Sequence, residues 1–413
     1  MTLRNRFLLI AIGVLFFILT TPIITLYALG YKFDLHSRQI LKTGSLVLKS
    51  EPHNANVYIN DKLQSSKTNS TIRFLLPGDF NIKIAKEGYQ SWTKRLNIRS
   101  SLVTWANHDR DFITLFFENP KQELSETVSL NAISLQENRA IIVKDNTVST
   151  YNPNKGTFEN GRSFAEKFSS PISVASQEME YFLLAYPITQ YFSPELILNL
   201  KHLESNNSYA AILSANSLNY VKNQSVIKLA DNVSGFHLEN EHLWYMQGPQ
   251  LNHANLSLGV IEPVGTLNYT PLNSEVIRGQ GRIFILTDQT LYMLNDDFEQ
   301  IYRGVNHAYW DTPTNRLVFS NNNEVLTFDP GSFKTDLIVR SSSTIHQPII
   351  NSRTGYLFFL NEDKLKAIEL DGRDHRNVYT ITATPARSFL LSEDGKLATL
   401  FTETQVAVIR IRE

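Results

Sequence analysis

The longest apolar run of the chain lies near its N-terminus. The stretch from Phe7 to Gly30 contains no charged side chain. At about 1.5 Å of rise per residue, a helix of that length spans a hydrocarbon core of roughly 30 Å. The pattern therefore predicts a membrane-spanning helix inserted in the lipid bilayer through residues 7–30, with residues 1–31 as the N-terminal tail and membrane segment.

A cleaved signal peptide is the alternative interpretation of this run. Such a peptide has an apolar region of about 7–15 residues, which is shorter than the run seen here. Ala28 and Gly30 do supply the small residues of a cleavage site. An uncleaved signal-anchor is favoured, and cleavage stays open.

The charges flanking the helix leave its direction undecided. Arg4 and Arg6 precede the run, whereas Lys32, Arg38 and Lys42 follow it. A very short tail with two arginines usually stays in the cytoplasm, and long downstream domains cross largely regardless of charge. We therefore expect a single-pass protein of the cell membrane, with the bulk of the chain outside the cytoplasm.

Short apolar runs separated by turn residues follow between residues 44 and 98. Phe80, Ile82 and Ile84 alternate with Asn81 and Lys83. A period of two gives a strand one buried and one wet face. The segment predicts a small antiparallel β-sandwich.

The same segment contains a recognisable motif. It opens with Gly44-Ser45-Leu46-Val47-Leu48, and the motif positions to which we assign structural roles are Pro52, Ala55, Pro77, Gly78, Gly88 and Tyr89. On these residues the segment resembles the PEGA domain of bacterial envelope and surface-layer proteins. His53 and Asn54 depart from the motif's Glu and Gly, although Asn tolerates the left-handed backbone that Gly would supply. The resemblance implies a noncatalytic envelope module whose motif residues shape turns and core.

A theme of two apolar runs joined by a short turn recurs along the rest of the chain. Five of the six intervals between successive repeats are near 40 residues. A period of about 40 with paired β runs is typical of a β-propeller, whose blades have four strands. The pattern predicts a propeller over residues 112–413, most simply with seven blades, while six or eight also fit. The repeats begin at Arg139, Glu180, Glu241, Arg282, Arg316, Tyr356 and Lys396.

Two further features favour this interpretation. The runs from Ile283 to Leu286 and from Leu357 to Leu360 are continuously apolar, as expected for strands covered on both faces. The last repeat ends after its third strand, so we expect the run from Ile113 to Phe117 to supply the fourth and remove an open edge.

Two turns in the repeats read Leu391-Ser392-Glu393-Asp394-Gly395 and Leu370-Asp371-Gly372. They resemble the turns of TolB-like and WD-repeat-like propellers. Asp-Gly is above all a turn-forming pair, so these motifs indicate a fold and imply no chemistry.

Charge and composition exclude several function classes. The 39 Lys and Arg nearly balance the 40 Asp and Glu, so no basic field would attract nucleic acid. The absence of cysteine removes disulfides, thiolate nucleophiles and Cys-based zinc sites.

Catalytic motifs are also missing from the sequence. Two Ser-x-x-Lys matches, at Ser91 and Ser225, fall in β-rich segments, where period-two geometry does not place Ser and Lys on one face. The ten histidines show no metal-ligand spacing, and residues 108–111 are interpreted as a charged connector. We expect no enzyme activity, no cofactor and no metal.

One irregular interval is a candidate for partner binding. The 61 residues after Glu180 exceed the period by about 20, and insertions in repeat proteins tend to be functional loops. Tyr186, Tyr191 and Phe192 are candidate contact residues there, because aromatic side chains often anchor interfaces. A longer hairpin packed on its own blade is the alternative.

These observations predict a binding or scaffold protein of the cell envelope that contacts a protein or a wall polymer through its propeller face. The alternative is a propeller hydrolase or lyase with acidic residues at the central channel, because a fold does not determine function. Convergence of Asp, Glu or His with perturbed pKa values at the channel would favour the enzyme.

Overall fold

The described part of the chain is mainly β structure, with one helix near the N-terminus. The computed structural model describes residues 3–35, 38–107, 112–127, 133–136, 139–144, 147–155, 157–163, 200–206, 208–402 and 405–413. Helix α1 spans Leu3–Ala28 and is followed by Gly30, whose φ of 85° favours glycine. By length and hydropathy, none of the helices in these ranges qualifies as a membrane span.

Two compact units make up the structure. The first unit contains Met1–Pro120, Glu369–Tyr379 and Arg412–Glu413. The second contains Lys121–Ile368 and Thr380–Ile411.

The first unit is a small β-sandwich preceded by a two-stranded hairpin. Its strands are β1 Tyr31–Asp34, β2 Gln39–Lys42, β3 Gly44–Leu48, β4 Ser50–Glu51, β5 Asn56–Ile59, β6 Lys62–Leu63, β7 Ser70–Leu75, β8 Gly78–Ala85, β9 Trp92–Ile98, β10 Val103–Trp105 and β11 Ile113–Thr114. The two main sheets have the strand orders β10-β3-β7 and β6-β5-β8-β9, while β1 pairs with β2 and β4 with β11.

The predicted alternation on β8 is confirmed. Ile82 and Ile84 are buried, Phe80 is half-buried, and Asn81 and Lys83 are exposed. The two sheets therefore enclose one apolar core between them, as expected when each strand has a single apolar face. That core includes Leu46, Leu48, Val57, Ile59, Ile82, Ile84, Trp92, Leu96, Ile98, Ile113 and Leu115.

Strand β9 is an edge strand whose outer side is covered by the segment Glu369–Tyr379 of the same unit. An uncovered edge would leave backbone groups open to pairing with other chains. Here side chains satisfy alternate backbone groups of β9 and of the residue before it. Tyr379 Oη donates to Ser91 O (3.3 Å), Asn377 Nδ2 donates to Thr93 O (3.0 Å), and Arg95 N donates to Asp374 Oδ2 (2.9 Å).

The second unit consists of repeated four-stranded antiparallel sheets, an arrangement consistent with a β-propeller. Seven such sheets lie in the described part of the chain. Their strands are β13 Ile133–Gln136, β14 Arg139–Lys144, β15 Thr147–Asn152 and β16 Thr157–Ser163; β17 Leu200–Ser205, β18 Ala210–Ser214, β19 Ser217–Lys222 and β20 Ser225–Ala230; β21 Val233–Glu239, β22 His242–Gln247, β23 Gln250–Asn255 and β24 Val260–Thr266; β25 Ser274–Gly279, β26 Arg282–Thr287, β27 Thr290–Leu294 and β28 Phe298–Arg303; β29 His307–Asp311, β30 Arg316–Ser320, β31 Glu324–Asp329 and β32 Lys334–Arg340; β33 Ile345–Asn351, β34 Tyr356–Asn361, β35 Lys364–Glu369 and β36 Val378–Thr382; and β37 Ser388–Leu391, β38 Leu397–Phe401 and β39 Gln405–Arg410 with β12 Lys121–Thr127.

Burial changes in a regular way across each sheet. Neighbouring sheets contact one another through their first strands, as β21 contacts β25 and β25 contacts β29. The second strands β26 and β34 are buried on both faces, which confirms the prediction for the runs Ile283 to Leu286 and Leu357 to Leu360. The fourth strands are mostly exposed.

The strand that closes the last sheet differs from the prediction. Ile113–Thr114 pairs in parallel with Ser50–Glu51 of the first unit. The closing strand is instead Lys121–Thr127, which pairs antiparallel with β39. The apolar run was a misleading signal, because the outermost strand of a blade faces solvent and suits a polar sequence.

Candidate functional site

The predicted partner-binding loop falls on a part of the chain that the structure does not describe. Tyr186, Tyr191 and Phe192 lie outside the described residues. The 61-residue interval that suggested an insertion contains a four-stranded sheet of its own, from Leu200 to Ala230. The residues between Ser163 and Leu200 lie outside the described part of the chain, so the candidate loop stays a prediction.

The motif residues of the small module lie in turns and in its core. Ala55 is fully buried, and Tyr89 packs its ring 4.8 Å from that of Phe117. Gly78 and Gly88 have φ values of 146° and 80°. The remaining two, Pro52 and Pro77, are buried and half-buried.

A cavity in the second unit brings together ionisable side chains that the sequence did not single out. Its volume is about 820 Å³, and its walls come from the first strands β17, β21, β25 and β29. The side chains that carry its chemistry are His202, Glu204, His237, Glu275, Arg278 and Trp310. Pockets of this size with a few convergent polar groups are common ligand sites.

Glu204 is the centre of this cluster. One carboxylate oxygen lies 2.8 Å from His202 Nε2, and the other lies 3.3 Å from His237 Nδ1. The second oxygen also accepts a hydrogen bond of 2.6 Å from Leu238 N. Burial opposes ionisation, but the two histidines outweigh it, and the pKa of Glu204 falls to about 2. Glu204 is therefore an anion held in a fixed orientation.

His237 and Glu275 have pKa values shifted by the same surroundings. Burial lowers the pKa of His237, but the hydrogen bond with Glu204 and the Glu204 charge raise it by more. The pKa of His237 therefore lies above its usual value. For Glu275, desolvation and the nearby Glu204 charge raise the pKa to about 7. The Glu275 side chain is itself exposed to solvent, and screening by water reduces that effect. The cavity thus holds one carboxyl group that is ionised near neutral pH and a second one that titrates there.

Two buried donors are also left without a hydrogen-bond partner among the described residues. They are Arg278 Nε and Trp310 Nε1, and both residues line the cavity. The Arg278 guanidinium lies over the Trp244 ring at 4.1 Å, and its Nε is 3.6 Å from Glu239, beyond hydrogen-bond distance. Buried donors of this kind are satisfied when an acceptor group of a ligand enters.

Close packing of glycines shapes the wall of the cavity. A Cβ atom on Gly279 would lie 2.0 Å from the Trp310 ring, and one on Gly235 would lie 1.7 Å from Ser274 O. The Ser234 and Ser274 hydroxyls are 2.9 Å apart at the same contact. These glycines let the first strands of neighbouring sheets approach one another at the cavity wall.

A second cavity, of about 740 Å³, is formed by β29, β33 and β37. Tyr309, which lines both cavities, accepts a hydrogen bond of 2.9 Å from Ile350 N. Burial lowers the pKa of His307 in this wall. Within the described residues, no group of three or more His, Asp or Glu is arranged to hold a metal ion.

The opposite pKa shifts predict how stability changes with pH. Glu275 is protonated more readily in the fold (pKa about 7) than in the unfolded chain (4.5), so its contribution is complete below pH 4.5 and is lost as pH rises through 7. Glu204, with a pKa of about 2, contributes above pH 4.5 and loses that contribution toward pH 2.

We expect Glu275→Gln to reduce the loss of unfolding free energy between pH 5 and pH 8, measured by urea unfolding. Glu299→Gln, at an exposed position, is the matched control, and an equal effect in both variants would contradict the assignment.

The comparisons with known proteins concern the fold of the two units. Residues 43–109 match the family model of the PEGA domain. They are a PEGA domain. The resemblance seen in the motifs is thereby confirmed, and this domain lies within the first unit, where the Asn54 backbone has the left-handed φ of 60° expected at the motif's glycine position.

Solved structures similar to the chain are distant. Matches include a mitotic checkpoint complex structure (10% identity, 71% of this chain, 93% of that chain, TM-score 0.43). Another is the extracellular domain of a putative one-component system from B. thetaiotaomicron (11% identity, 71% of this chain, 40% of that chain, TM-score 0.42). A third is a catalytically inactive virginiamycin B lyase from Staphylococcus aureus (11% identity, 71% of this chain, 99% of that chain, TM-score 0.42). Likeness at this level supports no statement about activity. No curated protein matched the chain.

Proposed function

We propose that this chain is a membrane-anchored binding protein of the cell envelope, which holds a protein or wall-polymer partner at the face of its propeller. The cavity around Glu204 carries the proposal. It is open, it is formed by the first strands of several sheets, and it combines fixed charge with unsatisfied donors. Such a combination favours recognition of a polar ligand by a few oriented groups.

The anchor in this proposal is helix α1. Its apolar side chains are exposed on every side, with Ile12, Phe16, Leu19 and Ile24 each more than half accessible. A helix that is apolar all round is stable when lipid or protein surrounds it. With Arg4 and Arg6 on the cytoplasmic side, the PEGA domain and the propeller lie outside the cytoplasm.

The finer architecture belongs to the same proposal. The sheets of the second unit form a closed ring of blades, in which strand β12 joins the last sheet to the beginning of the unit. Closure would place the first strands around a common channel, so that a ligand at its mouth meets several blades at once.

Binding should depend on the Glu204 carboxylate. We expect Glu204→Gln to weaken retention of a purified wall polymer or an envelope protein fraction by about tenfold, because an oriented charge is lost from a partly buried site. Affinity would be measured with the full chain in detergent micelles. Glu299→Gln, which is exposed and outside the cavity, is the control. Equal retention by both variants would exclude the cavity as the binding site.

A second candidate function, acid–base catalysis on a polysaccharide, is favoured by one observation. Two carboxyl groups with pKa values pulled apart, such as Glu204 at about 2 and Glu275 at about 7, can divide the roles of base and acid. A wall polymer incubated with the protein would then yield new reducing or unsaturated ends. Release that ceases in Glu275→Gln supports catalysis, whereas unchanged polymer that remains bound supports the binding protein.

A further inference from the structure

A set of exposed apolar and basic side chains lies beside the end of helix α1. We propose that residues 31–35, 38–42 and 99–105, here named the juxtahelical surface, rest in the interfacial region of a bilayer rich in anionic lipid. This inference depends on the proposed membrane attachment. It adds that the first unit itself touches the membrane, so that the anchor and the PEGA domain both bind the lipid surface.

The first part of the juxtahelical surface is the hairpin β1–β2. Phe33 lies directly opposite Ile40 in the ladder, and the two side chains are 53% and 55% exposed. Leu35, at the turn, is 84% exposed. A two-stranded hairpin with an uncovered apolar face is marginally stable in water and gains stability when that face is buried.

The second part is the turn between β9 and β10 with strand β10. Leu102, Val103 and Trp105 are 52%, 58% and 43% exposed. Tryptophan at such a position suits the membrane interface, because its ring is apolar and its N–H can remain hydrated.

Backbone hydrogen bonds place both parts next to the end of α1. Thr43 N donates to Gly30 O at 2.8 Å, and Ser101 N donates to Thr43 O at 3.0 Å. Ser45 N donates to Leu102 O at 3.1 Å. The ring of Tyr27, in the last turn of α1, also stacks on Phe74 of β7 at 4.9 Å. The exposed apolar side chains are therefore within a few residues of the point where the helix ends.

The charges of the surface fit an anionic lipid leaflet. Lys32, Arg38, Lys42 and Arg99 are exposed basic residues, and Asp34 is the acidic residue in the same two segments. The Lys49 ammonium lies 5.2 Å from the centroid of the Trp105 ring, beside the same face. Basic residues near such a leaflet are attracted to it, and long basic side chains reach the headgroups while their apolar stems stay buried.

Depth measurements with single cysteines would test the inference, because the chain contains no cysteine. The full chain is reconstituted in phosphatidylcholine vesicles, with or without phosphatidylserine, that contain a lipid-bound nitroxide quencher. A fluorophore is attached in turn at Phe16→Cys in α1, Leu35→Cys and Leu102→Cys in the juxtahelical surface, and Leu272→Cys, an 81% exposed control in the second unit. All four positions are solvent-exposed, so the substitutions leave the core intact.

We expect quenching at positions 16, 35 and 102 and none at 272. Quenching at 35 and 102 should decrease without phosphatidylserine or at high salt, while quenching at 16 should not. If 16 is quenched but 35 and 102 behave as 272 does, the juxtahelical surface is wrong and the attachment stands. If 16 is not quenched, the attachment itself is wrong. In lipid-free micelles, the fluorophores at 35 and 102 could instead become shielded from water as the protein concentration rises. That result would show that a second copy of the chain, and not lipid, covers the surface.

Discussion

Replacing Lys94 with methionine is expected to destabilise the first unit by about 3–5 kcal/mol, since it removes one member of a buried ion cluster. The Lys94 ammonium lies 2.9 Å from Glu369 Oε2 and 3.3 Å from Asp371 Oδ2, and its side chain has no solvent exposure. It also donates to Asp371 O at 2.8 Å. Methionine preserves the length of the side chain but leaves Glu369 without its cation. Urea unfolding of the full chain, with hydrogen exchange of the β9 amides as the probe, would measure the loss of unfolding free energy.

The two carboxylates differ in how much other support they retain. Glu369 accepts hydrogen bonds from Trp92 Nε1 at 3.0 Å and Asn377 Nδ2 at 2.8 Å, which are neutral donors. Burial opposes ionisation of Asp371, but hydrogen bonds from Arg373 outweigh it together with the charge of Lys94, so the Asp371 pKa lies below its usual value. Asp371 keeps its ion pair with Arg373 at 2.6 Å when Lys94 is removed. The uncompensated charge in the variant is therefore chiefly that of Glu369.

Two further variants separate this explanation from a general effect of losing a lysine. Lys83→Met, on the exposed face of β8, should change the unfolding free energy by about 0.5 kcal/mol or less. Adding Glu369→Gln to Lys94→Met should restore part of the lost stability, because the unpaired buried charge is then absent. Wild-type stability of Lys94→Met would show that the cluster is hydrated in solution.

The position of Lys94 also shows what the sequence contained and what it concealed. Trp92, Lys94, Leu96 and Ile98 occupy alternate, buried positions of β9. A charged residue in an apolar register indicates a buried partner of opposite charge, and this signal was readable. The partner itself was not, because Glu369 is separated from the strand by about 277 residues and no local pattern connects them.

Period-two and period-40 patterns were sufficient for the coarse fold, because burial of each strand leaves its mark within a few residues. The PEGA strands and the buried second strands of the sheets were predicted from such runs. The closing strand Lys121–Thr127 was not, because an exposed outer strand needs no apolar pattern. The sheet from Leu200 to Ala230 was also not predicted, since its repeat start at Ala210 was not recognised.

The Glu204 cluster could be predicted only in part. His202 and Glu204 alternate on β17, and polar groups at that spacing on a first strand were a usable signal. Their approach to His237 and Glu275 depends on how three successive sheets pack, which is a property of the tertiary structure. Neither Arg278 nor Trp310 carried any motif that marked it as part of a site.

The packing that creates this cavity leads to the second large effect, which is expected from Gly235→Ala. The new Cβ would lie 1.7 Å from Ser274 O and 2.5 Å from Ser274 C, both backbone atoms that cannot rotate away. Strands β21 and β25 must therefore separate, which breaks the 2.9 Å contact between the Ser234 and Ser274 hydroxyls and widens the cavity. We expect a loss of about 3 kcal/mol or more in urea unfolding, at or above the usual cost of overpacking.

Gly331→Ala is the matched control, because Gly331 is exposed and the nearest atom to a new Cβ is the Asp329 carboxylate at 3.2 Å. It should unfold within about 0.5 kcal/mol of the wild type. Partner retention, measured for both variants under conditions where each is folded, then tests the link between the strands and the site. Since β25 carries both Ser274 and Glu275, a displaced β25 should also move Glu275 relative to Glu204. If Gly235→Ala is as stable as Gly331→Ala and retains the partner equally well, strands β21 and β25 do not approach each other as closely as the structure places them.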